Sequence, residues 1–581
     1  MASATAVAHE TQAGRMADGE VQPSPAAATR RIEFRRRGNA IPLRGVAGVV
    51  AALALLATAG SMLWMYFHRL GKNPAGFFCD EAQIGIRTWQ LLHGTLPAPS
   101  PRFPAFYEHI DYTIGAFSLY FGAPFIALFG PTEAAVRVSA TVAMVIGLAA
   151  LVLLTVRLGL RNGWIGVLVF GLSPIGIHMA RFNMAHPHGF MLSALGFLLY
   201  AVARQQRSAG WALGAGAILG MAVYANVAWY IATPVTIGCL GLGELVSNGV
   251  VLARWRTFAL SVAGTLLIWI PLFHRMLTDE SFFNRFKEKQ GIGAAPLLSR
   301  ARLDAVLDAY PKYFSLDYLF RTGESGGILR HSVPGAGLFP WLILPLVLLG
   351  IVAILGARRG PAKVIGIAAV AMLVLYPAPD ILTTNPLAPP YTFAVFSMFL
   401  CVPVLCAFGV SLLSRWIGGS ATSSWRQAVV PVALSALLLA GAWTFYRGPY
   451  ADYPNVSAGY YGWQFGPGPA IDAFLADNNQ HDHYYLDSDF NGAYVFPEFY
   501  LLEHPEMAAK TSLGAPHERA VPTERALYAV KPERWAEYVG PLDPIRRYAL
   551  LQDVIYYPDG TPAMLILSIS LQNPPQPILN W

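Results

Sequence analysis

The chain has 581 residues, 55% of them apolar and 13% charged, with a mean hydropathy of +0.43 and a formal net charge of +7. Soluble domains carry roughly 25% charged residues, so most of this chain is solvated by lipid and a wholly soluble protein is excluded. The positive excess sits in short Lys/Arg clusters between apolar stretches, which is how membrane topology is encoded, so no nucleic-acid partner is expected.

Residues 1–44 are rich in Ala, Gly, Ser and charge and close on Arg30, Arg31, Arg35, Arg36, Arg37 and Arg44. They read as a disordered, basic cytoplasmic tail. The apolar stretch 45–66 that follows spans roughly 30 Å of hydrocarbon and lacks a small-residue cleavage pattern, so it reads as an uncleaved first helix. Further apolar segments lie near 134–156, 162–180, 188–204, 211–226, 228–246, 257–276, 338–356, 362–378, 391–414 and 428–446, giving about eleven spans. With the amino terminus inside, the inner connections hold Arg157 and Arg161; Arg204 and Arg207; Arg254 and Arg256; Arg358, Arg359 and Lys363; Arg415 and Arg426. Each is basic, as the positive-inside rule requires. A crossing by 113–130 would invert every later loop, so that stretch reads as a helix on or dipping into the outer leaflet.

A polytopic α-helical membrane module over 45–446 follows, with external loops 67–133 and 277–337 and a small extracytoplasmic α/β domain over 447–581. In that domain 484–486 and 554–557 read as strands, 470–476 as a helix, and Asp559-Gly560 as a turn. Cys239, Cys401 and Cys406 lie in apolar runs and Cys79 in an external loop, so no disulfide is expected.

The first external loop is the most informative stretch. It opens Phe77-Phe78-Cys79-Asp80-Glu81-Ala82 and continues as an amphipathic helix to Gly94. Adjacent carboxylates beside a bilayer are costly; they suit a general base or a metal ligand, and equally the first turn of a helix, whose N–H groups and dipole favour them. A second acidic site follows at Phe106-Tyr107-Glu108-His109-Ile110-Asp111. Arg137, Arg181, His186, His188, Arg330 and His331 are cationic or ionisable groups at outer span ends or in the later loop. Such groups neutralise charge developing on a phosphodiester, or contact lipid headgroups. His481-Asp482-His483 lacks further ligands in register and reads as solvated loop, and Asp380 reads as a loop cap.

One span, Asp-Glu at the loop start, Phe-Tyr-Glu-His, an interfacial helix, then Ala135-Val136-Arg137-Val138-Ser139-Ala140 entering a span: this order resembles the bacterial protein O-mannosyltransferase-like and lipid A aminoarabinose transferase-like families. Those are polyprenyl-phosphate-sugar-dependent glycosyltransferases of the GT-C fold. Asp80 and Glu81 match their Asp-Glu motif, Glu108 the acid of their Glu-Lys-Pro-Pro-type motif, and Arg137 the Arg of their Ala-Arg-Leu-Pro-Ser motif. His109 stands where aminoarabinose-type members carry Lys, and Ile110-Asp111 replaces Pro-Pro, which leaves open how the carrier phosphate is held. The run Tyr461–Gly468 resembles the start of the external domain in some members.

The resemblance implies a transferase of the bacterial inner membrane, with its amino terminus cytoplasmic and its C-terminal domain outside. It would move a sugar from a polyprenyl-phosphate donor to an extracytoplasmic acceptor, a protein, glycolipid or cell-wall glycan, by inverting displacement. Asp80, Glu81 and Glu108 would be catalytic; Arg137, Arg330, His331, His109 and Arg181 would meet the donor phosphate; the need for a divalent cation stays open. The alternatives are a lipid-linked substrate transporter or flippase, and a GT-C-like scaffold that binds lipid carriers without catalysis. A transporter predicts mid-bilayer charges and broken spans in related halves, whereas the charges here gather at the outer rim.

Overall fold

A computed structural model describes residues 46–97, 103–110, 112–249, 255–279, 299–324, 326–382, 389–418, 424–477, 479–516, 524–538, 548–570 and 572–573. The expected tail 1–44, Asp111 and Arg254 lie outside the described residues. Helix α1 (Val46–Phe67) is followed by α2 (Cys79–His93), the hairpin β1 (Phe106–His109) and β2 (Tyr112–Gly115), and α3 (Phe117–Phe129). Then come α4 (Glu133–Arg157), α5 (Gly163–Gly171), α6 (Pro174–Met179), α7 (His186–Gln206), α8 (Ala209–Met221), α9 (Trp229–Asn248), α10 (Arg256–Ile268) and α11 (Ile270–Thr278). Helices α12 (Arg300–Ala309), α13 (Ile343–Leu355), α14 (Pro361–Leu375), α15 (Ala378–Ile381), α16 (Ser397–Gly418) and α17 (Ser424–Arg447) complete the bundle.

Five helices among the described residues are long and apolar enough to cross a membrane: Gly48–Phe67, Glu133–Arg157, Trp229–Asn248, Ser397–Gly418 and Ala428–Ser457. The pair α10 and α11, bent by 48°, makes a sixth if taken as one span. Of the other expected apolar segments, 188–204 forms the continuous 21-residue α7, and the rest are divided or short. The segment 162–180 breaks where Ser173 caps α6 by accepting from Gly176 N–H, with Pro174 in its first turn. The stretch 113–130 is β2 followed by the 13-residue α3, about 20 Å long and too short to cross.

The bundle is arranged as a membrane solvent requires. Leu53, Leu56, Leu153, Leu348 and Leu355 point outward, while α16 is enclosed, with every side chain from Leu400 to Ala407 buried. Helices α8 and α10 approach backbone to backbone: a Cβ on Gly264 would stand 2.2 Å from the Leu213 carbonyl oxygen. Ser261 and Thr265 then donate to the carbonyls of Ala212 and Gly216 across the same seam.

Beyond α17 the chain forms α18 (Pro449–Ser457), α19 (Pro467–Ala476), β3 (His483–Leu486), α20 (Val495–Tyr500), α21 (Pro505–Ala508), β4 (Thr511–Leu513), β5 (Ala526–Val530), α22 (Pro532–Tyr538), β6 (Ala549–Tyr556) and β7 (Pro562–Ile569). The sheet order is β4-β3-β5-β7-β6, with β3 parallel to both β4 and β5 and the remaining pairs antiparallel. Alternation along the strands divides its faces. Tyr485, Tyr528, Val530, Leu565 and Leu567 pack with Trp535 of α22, whereas Tyr484, Leu486, Leu527, Ala529 and Ile566 join the same apolar cluster as the membrane helices. One face of the sheet thereby joins the apolar core that also holds Phe77, Phe78 and Ile84 of the first long loop.

Candidate active site

Helix α2 starts without a side-chain cap and carries both carboxylates in its first turn, ending at Gly94 in the left-handed conformation. Its two acids have different surroundings. Glu81 is fully buried; it accepts from Arg137 Nε at 3.1 Å and from another Arg137 nitrogen at 3.0 Å, and from the Asn183 backbone N–H at 2.9 Å. Asp80 keeps 28% of its side chain exposed and meets His109 Nε2 at 3.3 Å.

Strand β1 sets that second contact. Tyr107 and His109 face inward, and the Tyr107 hydroxyl lies 3.3 Å from His109 Nδ1. Burial pushes the Tyr107 phenol far above its ordinary value, so it stays protonated and can donate. A neutral His109 accepting at Nδ1 carries its proton on Nε2, the tautomer that donates to the Asp80 carboxylate. Glu108 is exposed on the strand, between the two inward-facing side chains.

Two of the anticipated phosphate ligands are directed inward. Arg137, wholly buried, donates to Glu81 and to the carbonyls of Leu70, Pro74 and Gly76, which employs all of its five N–H groups. Arg181, also wholly buried, donates to the carbonyls of Met65, Tyr66, His68 and Asn73. Met65 and Tyr66 are among the carbonyls that the end of α1 leaves without helical partners, and His68 and Asn73 lie in the turn that follows. The two guanidinium groups therefore hold the turn from α1 to α2. His331 is likewise engaged: Nδ1–H donates to the buried Glu324 at 2.6 Å, and Glu324 accepts from the Thr392 N–H at 2.8 Å.

Arg330 differs. Its guanidinium lies 3.9 Å over the Phe78 ring, two residues before Asp80, and makes one long hydrogen bond, 3.4 Å, to the Tyr461 carbonyl. Its Nε is buried without a partner. His178 Nε2–H donates to the Arg330 carbonyl at 2.8 Å and fixes its backbone. Of the cationic candidates, Arg330 is the one whose guanidinium makes a single long hydrogen bond among the described residues, and it covers the ring two residues before Asp80.

The C-terminal region closes the other side. Gly492 stands so near α2 that a Cβ there would lie 3.1 Å from the Cys79 Cβ, and the Tyr494 hydroxyl donates to the Ile110 carbonyl at 3.3 Å. Burial, and then the neighbouring Asp80, raise the Cys79 thiol well above its usual range. The sequence singled out neither Asn183, Tyr107 and Glu324 nor Gly492; Tyr107 lay inside a quoted motif, and the others carry no local signal. His481 contacts Asp477 and Ser568 at the sheet, and among the described residues no group of three or more His, Cys, Asp or Glu is arranged to hold a metal ion.

A membrane helix bundle whose first loop folds as a short helix with an acidic first turn, roofed by a C-terminal mixed sheet, has the GT-C fold. The chain superposes on ArnT from Cupriavidus metallidurans bound to undecaprenyl phosphate with a TM-score of 0.52 and 14% identity, covering 89% of this chain and 97% of that one. Against the same protein in the apo state the TM-score is 0.53 at 12% identity, with 89% and 98% covered. No protein-family model and no curated protein matches the sequence significantly.

Proposed function

We propose that the chain is a membrane glycosyltransferase that moves a sugar from a polyprenyl-phosphate donor to an acceptor outside the cytoplasm. The observation that carries this reading is Asp80, partly exposed and oriented by His109, two residues from Phe78, whose ring the Arg330 guanidinium covers while making a single 3.4 Å hydrogen bond. The fold supports it: ArnT, with the same fold, was crystallised with undecaprenyl phosphate.

In this mechanism the acceptor hydroxyl attacks the anomeric carbon from the face opposite the phosphate. Its proton passes to Asp80, and the bond from the anomeric carbon to the phosphate oxygen breaks with its electron pair going to the phosphate. Arg330 meets the charge that develops there. His109 and Tyr107 orient Asp80, and Glu108 contacts the acceptor or the sugar from the exposed face of β1. Arg137, Arg181 and His331 act through the fold, as supports of the loop and of Glu324. The proposed topology has eleven spans within 45–446, the tail 1–44 in the cytoplasm and 447–581 outside the bacterial inner membrane.

The test is transfer, or release, of sugar from polyprenyl-phosphate-linked donors by wild type and Asp80→Asn. A general base contributes about 10²–10⁴-fold, so the variant is expected to lose that much rate while keeping its melting temperature. Full activity of Asp80→Asn eliminates it as the base. A wild type that moves the lipid-linked donor between leaflets without cleaving it supports the transporter instead.

A further inference from the structure

The connections 157–161, 204–210, 247–256, 357–363 and 415–427 all carry Lys or Arg and hold not one Asp or Glu, so a cation there has no acid in its own loop. At one place two of these cations are drawn together and half-buried. Helix α16 is enclosed along almost its whole length and reaches the open only in its last turn, where Trp416 is 61% exposed and Ile417 44%. The connection from α4 to α5 is stitched along that end. The Arg161 N–H donates to Ser411 Oγ at 2.9 Å, and Asn162 Nδ2 donates to Ser414 Oγ at 3.2 Å.

One turn further on, the Arg161 guanidinium lies flat on Gly418. A Cβ there would stand 3.2 Å from each terminal nitrogen and 3.3 Å from the carbon between them. Arg415, three residues before Gly418, is half-buried on the same turn, and the two guanidinium groups stand near enough to repel each other. Partial withdrawal from water strengthens that repulsion. The end of α16 answers it with about half an elementary negative charge, against two full positive ones. Among the described residues the Arg161 guanidinium has no hydrogen-bond or ion-pair partner. Its backbone is pinned, and its donors are open to an anion from outside the chain.

We infer that Arg161 and Arg415 form a binding site for the phosphodiester headgroup of an anionic phospholipid, seated at the end of α16. Guanidinium forks match phosphate oxygens, and the exposed Trp416 and Ile417 on the same turn suit the boundary between headgroups and acyl chains. A zwitterionic headgroup would bring its own ammonium to two cations, and a free phosphate would leave the apolar pair unused. From Arg137 to Arg157 helix α4 runs about 30 Å, the thickness of the hydrocarbon layer, so the site lies at the membrane face away from Asp80. The inference therefore stands apart from the transferase reading. A lipid held there would fasten the connection before α5 to the end of α16.

In the experiment, detergent-solubilised full-length protein is titrated with phosphatidylglycerol, phosphatidylcholine or inorganic phosphate. Retained lipid is counted by native mass spectrometry, and the melting temperature is followed in parallel. Wild type is expected to retain phosphatidylglycerol in preference to phosphatidylcholine and to melt higher with it, because a ligand of the native state stabilises that state. Arg161→Gln and Arg415→Gln are each expected to weaken phosphatidylglycerol binding about tenfold, the size of one charge-assisted contact. Arg207→Gln, which removes an exposed arginine from another basic connection, is expected to leave it unchanged. Gly418→Ala keeps every charge and displaces only the far end of the Arg161 side chain, so it is expected to fold and to fall between these two effects. The inference is overturned if wild type binds both lipids alike, if Arg207→Gln costs as much as Arg161→Gln, or if Gly418→Ala binds as wild type does. It is equally overturned if inorganic phosphate raises the melting temperature as far as phosphatidylglycerol, which would make this a site for the free anion.

Discussion

Adjacent residues on a helix point about 100° apart, so Asp80 and Glu81 could not both face the same partner. Glu81 turns into the protein, where Arg137 and the Asn183 N–H neutralise it; Asp80 turns to the opening, where His109 holds one oxygen. Their substitutions should differ accordingly. Glu81→Gln removes the nearer carboxylate from a buried guanidinium and leaves it only Glu133 at 4.0 Å, and up to about 3–5 kcal/mol of stability is expected to disappear, read as a lower melting temperature and a lower yield of folded protein in detergent. Asp80→Asn is expected to leave the melting temperature within a degree or two of wild type. The Asp-Glu pair, and the helix it opens, could be read from residues 77–94 because a carboxylate-rich first turn and a terminal glycine are local signals. Which of the two acids was buried could not, because that depends on Arg137, 56 residues on, and on Asn183, 102 residues on.

At the scale of elements, the link from α1 to α2 is a backbone cast by two arginines. Arg181 satisfies the end of α1 and Arg137 the turn after it, so Leu70, Pro74 and Gly76 present their carbonyls inward. The sequence marks both arginines as outer-rim cations, and a cation near a membrane face is equally suited to a lipid headgroup or phosphate; only the path of the loop reveals that their donors are filled. Gly76 is the tight point. Its φ of +97° is one that side chains rarely adopt, and a Cβ would stand 2.5 Å from the Trp463 carbonyl oxygen. Gly76→Ala must therefore bend the loop or push away the segment 463–465. Strain of about 1–3 kcal/mol is expected, seen as a lower melting temperature together with reduced transfer, because Phe78 and Asp80 follow directly. The hairpin β1–β2 was legible only as a motif: its alternation spans four residues, too few for a periodic signal beside an apolar stretch.

For the whole molecule, the proposed topology gives a direct measurement. All four native cysteines are buried, so an impermeant maleimide added to intact cells has no ready target in wild type. A cysteine placed at the exposed turn residue Asp559 is expected to label from outside, and one placed at Arg207 only after the membrane is permeabilised. Labelling of Arg207→Cys in intact cells would invert the topology and put Asp80 in the cytosol. The apolar runs announced a helical membrane protein from composition alone, since lipid solvation shows in every span. The union of sheet and bundle did not, because it is made by side chains far apart in sequence. Tyr494 meets Ile110 across 384 residues. At a synthesis rate of about 5–20 residues per second, the loop bearing Asp80 waits some 20–80 s for the segment that completes its wall. A ribosome stalled after the last helix would leave that wall unbuilt, so under the proposed activity and topology the newborn chain is silent until its final quarter has crossed the bilayer.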